Sequence, residues 1–232
     1  MLKKKISESL FILFIAFLLP STSSASDPTG TWSSTEALPY SVASNASEAV
    51  NGKLFVINGS SQTGYSKSYA SSATINSDGT VQDWATSSSA NTPTALIFHS
   101  STKKDSNIYI LGGTNEVNQS ATSVDTVYLG QVDTSGDIDS WSSLNVLPKK
   151  LSLGAAVISG DYIYYAGGGT WTNGSGPTLT DKVYYAAINS DGTIGSWTET
   201  TALPSARYGH SLIASDGYLL LIGGGTPASK DV

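Results

Sequence analysis

The chain has 232 residues, with 12 Lys+Arg against 18 Asp+Glu, a net charge of −6, 23 Gly and no Cys. The lack of Cys excludes disulfides and thiolate metal sites, and the acidic balance argues against nucleic acid, whose phosphates need a basic face. Only 13% of residues are charged while Gly, Ser and Thr are abundant, the profile of a turn-rich, all-β extracellular protein with enough chain for a sizeable core.

The first segment, MLKKKISESLFILFIAFLLPSTSSASD, has the layout of an export signal, 1–25. Lys3, Lys4 and Lys5 precede an unbroken apolar run at 10–19. Ser23 and Ala25 are the small residues of a cleavage site, which makes Ser26 the expected first mature residue. The apolar run is too short to cross a hydrocarbon core as a helix, so no membrane span is expected after cleavage. The expected location is secreted, periplasmic or cell-surface. No Cys follows the run, which excludes a bacterial lipid anchor.

TGTWSSTEALP, 29–39, reads as a fourth strand whose first three are absent upstream. From there the sequence repeats. INSDGTVQDW at 75–84, VDTSGDIDSW at 132–141 and INSDGTIGSW at 188–197 are one phrase at steps of 57 and 56. Pro39, Pro93, Pro148 and Pro204 hold the same register, as do Asn58-Gly59, Gly112-Gly113, Gly167-Gly168 and Gly223-Gly224. Trp32, Trp84, Trp141 and Trp197 hold it too. A period of about 55 residues means stacked supersecondary units.

Each unit reads as four strands. A short strand of small and apolar residues, such as 155–158 or 211–214, comes first. In three units a tight hairpin follows, at Asn51-Gly52, Gly160-Asp161 and Asp216-Gly217, dipeptides that accept positive φ. Next is an apolar run (54–57, 108–111, 163–166, 219–222) that suits a strand covered on both faces. After the Gly pair a longer loop leads to a third strand, as at 183–188, and Ser190-Asp191-Gly192 turns it into a fourth. Four strands per unit is the pattern of a propeller blade. The Trp residues are expected to pack between blades.

LPSARYGH at 203–210, followed by a strand, a turn, an apolar strand ending in Gly-Gly and a later Trp, resembles the kelch motif. The resemblance covers the whole mature chain in four registers and is best in the third and fourth units. It implies an all-β, kelch-like β-propeller, with blades at 40–94, 95–148 and 149–204, a partial blade at 205–232, and 29–39 closing the ring. Kelch-type rings usually have six or seven blades, so the resemblance implies an incomplete arc of about three and a half. A four-bladed ring closed by the strand of Trp32 is the rival. The first unit departs from the pattern: Ser60 follows its small pair, and Ser71 replaces the strand Tyr seen at Tyr128 and Tyr184.

Strand order puts the loops 60–68, 114–123 and 169–180 on one rim with the Pro segments. That rim collects the tentative ligand-binding residues Tyr65, His99, Trp171, Arg207 and His210. Arg207 and His210 occupy kelch consensus positions that mostly brace loops, and His99 is in register with His210. Two His without carboxylate or Cys at ligand spacing make no convincing metal site. Asn76-Ser77-Asp78-Gly79 resembles the start of a calcium loop but lacks the later Glu, so a hairpin turn is expected. Trp171, in GTWTNGSGPTLT, is outside the repeat register. No cofactor, metal or catalytic residue is assigned.

Two classes remain open. One is a binding module that takes a glycan or a protein on the rim. The other is part of a kelch-type carbohydrate-active enzyme. An oxidase of the galactose oxidase type needs a Cys cross-linked to Tyr, and this chain has no Cys. An epimerase resembling those of sialic acid needs an acid/base pair in the central funnel. The binding reading is favoured.

Overall fold

A computed structural model describes residues 33–61, 66–86, 90–117, 120–172 and 176–225. All its regular elements are strands. They are β1 (Ala46–Val50), β2 (Lys53–Ser60), β3 (Ser66–Ile75), β4 (Val81–Thr86), β5 (Ser100–Lys104), β6 (Asn107–Leu111), β7 (Thr114–Val117), β8 (Ser120–Ser123) and β9 (Val127–Val132). Then come β10 (Ile138–Ser143), β11 (Ala155–Ser159), β12 (Tyr162–Ala166), β13 (Gly169–Thr170), β14 (Thr178–Leu179), β15 (Val183–Ala187), β16 (Thr198–Thr200), β17 (Ser211–Ser215) and β18 (Tyr218–Ile222). Three antiparallel four-stranded sheets have the orders β1-β2-β3-β4, β5-β6-β9-β10 and β11-β12-β15-β16, and β17-β18 form a hairpin. The small hairpins β7-β8 and β13-β14 were not signalled as strands by the sequence. Residues 33–39 carry no strand, and 29–32 lie outside the described residues. The later part of the segment read as a closing strand is instead a connector: Glu36 N donates to Val81 O at the start of β4 (3.3 Å).

The turns follow from their residues. Asn51 and Gly52 both take positive φ (51° and 76°), as do Asp216 and Gly217 (51° and 80°), the pairing a tight two-residue hairpin needs. The second blade achieves its hairpin with Asp105, at φ 53°, and Ser106, a dipeptide with no strong sequence signal. In β6, Ile108, Tyr109, Ile110 and Leu111 are all inaccessible to solvent, whereas the matching strand β18 is largely exposed.

The repeated phrase forms the same turn three times. Asn76 N donates to Thr80 O and Gly79 N to Asn76 O, and Asn189, Gly192 and Thr193 repeat both bonds. Thr80 gives its N–H and its hydroxyl to the Asp78 carboxylate (2.9 and 2.7 Å), and Thr193 does the same to Asp191. In the looser copy the carboxylate moves to Asp133, which accepts from Ser135 Oγ and from the N–H groups of Ser135 and Asp137. These bonds to the ionised form hold all three carboxyls below their ordinary range. The candidate calcium loop is thus a self-satisfied turn.

The turn also docks on the preceding blade. Tyr109 of β6 donates its hydroxyl to Gly192 O (2.9 Å), and Asp137 pairs with Lys53 of β2 (2.9 Å). The Trp residues work in the same direction. Indole Nε1 of Trp84, Trp141 and Trp197 donates to the carbonyls of Glu36, Ala90 and Asn145. In each case the acceptor lies on the connector that enters that Trp's own blade. Two buried clusters result, one joining the first and second blades and one the second and third. The odd first unit is balanced within the same scheme. Tyr128 meets Thr94 through their hydroxyls, whereas Ser71 donates to Tyr40, so the large and small partners have changed places.

If the indole bond joins strand to connector, Trp141→Phe should cost about 1–2 kcal/mol in urea unfolding, since it strands one carbonyl. Trp141→Ala should cost about 3–5 kcal/mol by adding a cavity. Equal costs for the two variants would show that the ring alone matters.

Candidate functional site

The rim is built on backbone seams. Gly59, Gly113 and Gly168 donate their N–H groups to the carbonyls of Leu96, Leu151 and Arg207 on the following blade (2.9, 2.8 and 2.8 Å). In the second and third blades the approach leaves no room for a side chain on the preceding residue: a Cβ on Gly167 would sit 2.7 Å from Arg207 O. In the first blade Asn58 stands there, buried, and accepts from Thr92 Oγ1. The connectors also join one another, with Leu153 N bonded to Phe98 O and Gly209 N to Leu153 O. Ser44, Phe98, Leu153 and Gly209, one per repeat, all have φ of 55–65°. For Phe98 and Leu153 that conformation is strained, and the seams hold it. Bridges Ala43–Ser60, Ile97–Thr114 and Ser152–Gly169 then fasten each rim loop to its connector.

Trp171 sits where two of these loops meet. Its N–H donates to Ser123 Oγ (2.9 Å) and its carbonyl accepts from Ser123 N (3.1 Å). Ser123 and Ser152, both fully buried, meet through their hydroxyls at 3.1 Å and share the Gly169 carbonyl. The backbone of Trp171 is therefore pinned from the neighbouring blade. The residue is half-buried, and its indole N–H is hidden with no partner among the described residues. Sequence reading missed the serine pair, because Ser in a Ser-rich chain carries no motif.

The other candidates separate. Tyr65 lies outside the described residues. Arg207 is 4% exposed, and its guanidinium donates to Gly223 O (3.2 Å) and Ser205 Oγ (2.9 Å), so it braces the Gly pair of its own hairpin. His210 is buried with its ring beside Gly167 of the preceding blade. Both ring nitrogens of His99 are hidden from solvent, and the Ile57 backbone favours its charged form only weakly against burial. Burial pushes His99 down to about 4 and lowers His210 as well. The third blade has Gly154 at this register, and the Tyr165 ring occupies the space a side chain there would need. His99 and His210 are thus wedges between blades, and the structure brings neither to Trp171.

One carboxyl was not singled out from the sequence. Glu48, on inner strand β1, accepts from Ser101 Oγ on β5 (2.6 Å), and burial raises it above the usual carboxylate range. Its only sequence signal is a lone acid in the small, apolar strand ASEAV. Among the described residues, no group of three or more His, Cys, Asp or Glu is placed to hold a metal ion.

The His99 shift has a definite sign. Folded His99 stays neutral down to about 4, while the unfolded side chain takes a proton below about 6.5. Its contribution is therefore full above about 6.5 and is lost as pH falls towards 4. His99→Gln should remove part of the stability loss across that window, and NMR should find the imidazole still neutral at pH 6. Ordinary titration near 6.5 would contradict the wedge assignment.

No protein-family model matches the chain, and no curated protein matches it. Among solved structures it is similar to that of YjhT, with 16% identity and a TM-score of 0.64 over 81% of this chain and 63% of that one. The chain spans less than two thirds of that protein's length. The likeness is one of fold: this is an all-β protein of β-propeller type, built from four-stranded antiparallel blades.

Proposed function

We propose that the chain is a kelch-type binding module, exported through its N-terminal signal, that engages a glycan or a protein on the long-loop rim around Trp171. The observation that supports this reading is the pinned backbone of Trp171 between two rim hairpins, with the side chain partly open to solvent. Holding an aromatic on rigid backbone lowers the entropy lost on binding. A part-exposed indole stacks on the apolar face of a sugar ring or anchors a protein contact. Thr172 beside it is exposed and offers a hydroxyl. The rival enzyme reading rests on Glu48, whose raised carboxyl suits an acid/base role.

The test is a glycan array and a partner column probed with the full chain and with Trp171→Ala and Trp171→Phe. Trp171→Ala should lose retention while its melting temperature stays within a few degrees of the parent. Trp171→Phe should keep part of the retention. A ligand that binds Trp171→Ala normally would refute the rim assignment.

A further inference from the structure

The cations of this acidic chain are sorted by face. Among the described residues, Lys53, Lys104 and Lys182 form ion pairs with Asp137, Asp161 and Glu199. Lys103 donates to Ala49 O (2.5 Å), and Arg207 braces its own hairpin. The ammonium groups of Lys67, Lys149 and Lys150 have no ion pair among the described residues. All three stand on the rim: Lys67 pairs with Gly59 at the rim end of β3, and Lys149 and Lys150 lie on the connector that enters the third blade. A chain with a net charge of −6 thus keeps its untied cations on the loop-bearing face, where they set a local field opposite to that of the whole molecule.

Two contacts bring the lysine pair to Trp171. Ser152 and Gly169 exchange N–H···O bonds in both directions (2.9 Å each). Thr170 Oγ1 then donates to Lys150 O (2.7 Å). Residues 149–152 therefore run antiparallel beside 169–171, while Ser123 holds Trp171 from the neighbouring blade. Lys149, Lys150 and Thr172 are exposed. Asp125 also approaches this connector, its carbonyl accepting from Leu147 N (2.8 Å), but its carboxylate pairs with neither lysine. A half-buried indole on pinned backbone offers a stacking face, and the ammonium groups beside it offer charge without a partner. Together they match a ring that has an apolar face and an anionic substituent. A protein hot spot needs a fully desolvated anchor, whereas Trp171 stays part-open with hydroxyl and ammonium groups around it, which favours a sugar. Building on the reading of Trp171 as the binding residue, we infer that this rim takes an anionic sugar, carboxylated or sulfated. The ring stacks on Trp171, and its charged group faces Lys149 and Lys150.

The probes share one glucose ring, whose all-equatorial hydroxyls leave C–H groups on both faces for an indole. They differ only at the exocyclic carbon: glucose, methyl glucuronate, glucuronate and the glucose sulfate ester at that carbon. Each is titrated into the full chain and followed by amide and indole NMR shifts. At least one of the two anions should bind about fivefold more tightly than the two neutral sugars, the most an exposed ion pair usually supplies. Whichever anion gains identifies the substituent. That preference should disappear in the double variant Lys149→Gln, Lys150→Gln, whose exposed positions leave the fold intact, and at about 0.5 M salt. Trp171→Ala should remove binding of all four sugars. Equal binding of anionic and neutral sugars, or an unchanged preference in the lysine variant, would overturn the anionic assignment while leaving Trp171 as a binding residue. Anion binding that survives Trp171→Ala would instead sink the rim reading itself. No saturable shift from any of the four at tens of millimolar, or tighter binding of a hexaglutamate peptide than of either anion, would also overturn the inference.

Discussion

The fold depends on one backbone hydrogen bond made three times. Gly59, Gly113 and Gly168 each give an N–H to a carbonyl on the next blade, as Gly113 does to Leu151. A blade alone could satisfy its inner groups by antiparallel pairing. This bond instead leaves the sheet and ties each second strand to its neighbour. It brings the connectors close enough to bond one another through Phe98, Leu153 and Gly209, and it holds two bulky residues at positive φ. The rim loops then have fixed backbone to pair with, and Trp171 inherits its position from that chain of contacts.

Around each seam the sequence varies by compensation. Tyr128 with Thr94 becomes Ser71 with Tyr40. His99 and His210 wedge their seams, while Gly154 yields the same space to Tyr165. Asp78 and Asp191 serve their turns, while Asp133 serves the middle copy from another position. Close packing explains why the exchanges come in pairs, since a volume lost on one side of a seam must be replaced from the other. The first seam is less tightly filled. Ala70 and Ser72 stand where the second blade has Val127 and Leu129, and a cavity of about 190 Å³ lies beside them.

The parts legible in the sequence were those carried by residues with a strong local preference. Asn51-Gly52 and Asp216-Gly217 fold as hairpins because they accept positive φ, and the phrase around Asp191 folds as a turn because its carboxylate and Thr193 satisfy each other. The Asp105-Ser106 hairpin was missed, since it lacks the Gly that marks the other three. The rim hairpins β7-β8 and β13-β14 read as loops, because their pairing is imposed by Ile97 and Ser152 on neighbouring connectors. The candidate site was legible only as a place. Arg207 braces its hairpin, as expected, whereas His210 packs as a wedge, and the Ser123–Ser152 pair that sets Trp171 has no sequence signature. Glu48 was illegible as a perturbed acid, because its environment comes from Ser101 on another blade.

The central claim is that seams, rather than isolated blades, carry the stability of the fold. Native-state hydrogen exchange on the full chain tests it most directly. Strands β5, β6, β9, β11, β12 and β15 lie in sheets that adjoin a seam on each side, whereas the β17-β18 hairpin leaves Ile213, Tyr218, Leu220 and Ile222 exposed. The account predicts that the two interior blades exchange together, with one shared opening free energy, and that β17-β18 exchanges much faster. Independent opening of each blade, or protection of β17-β18 equal to that of β6 and β12, would contradict it.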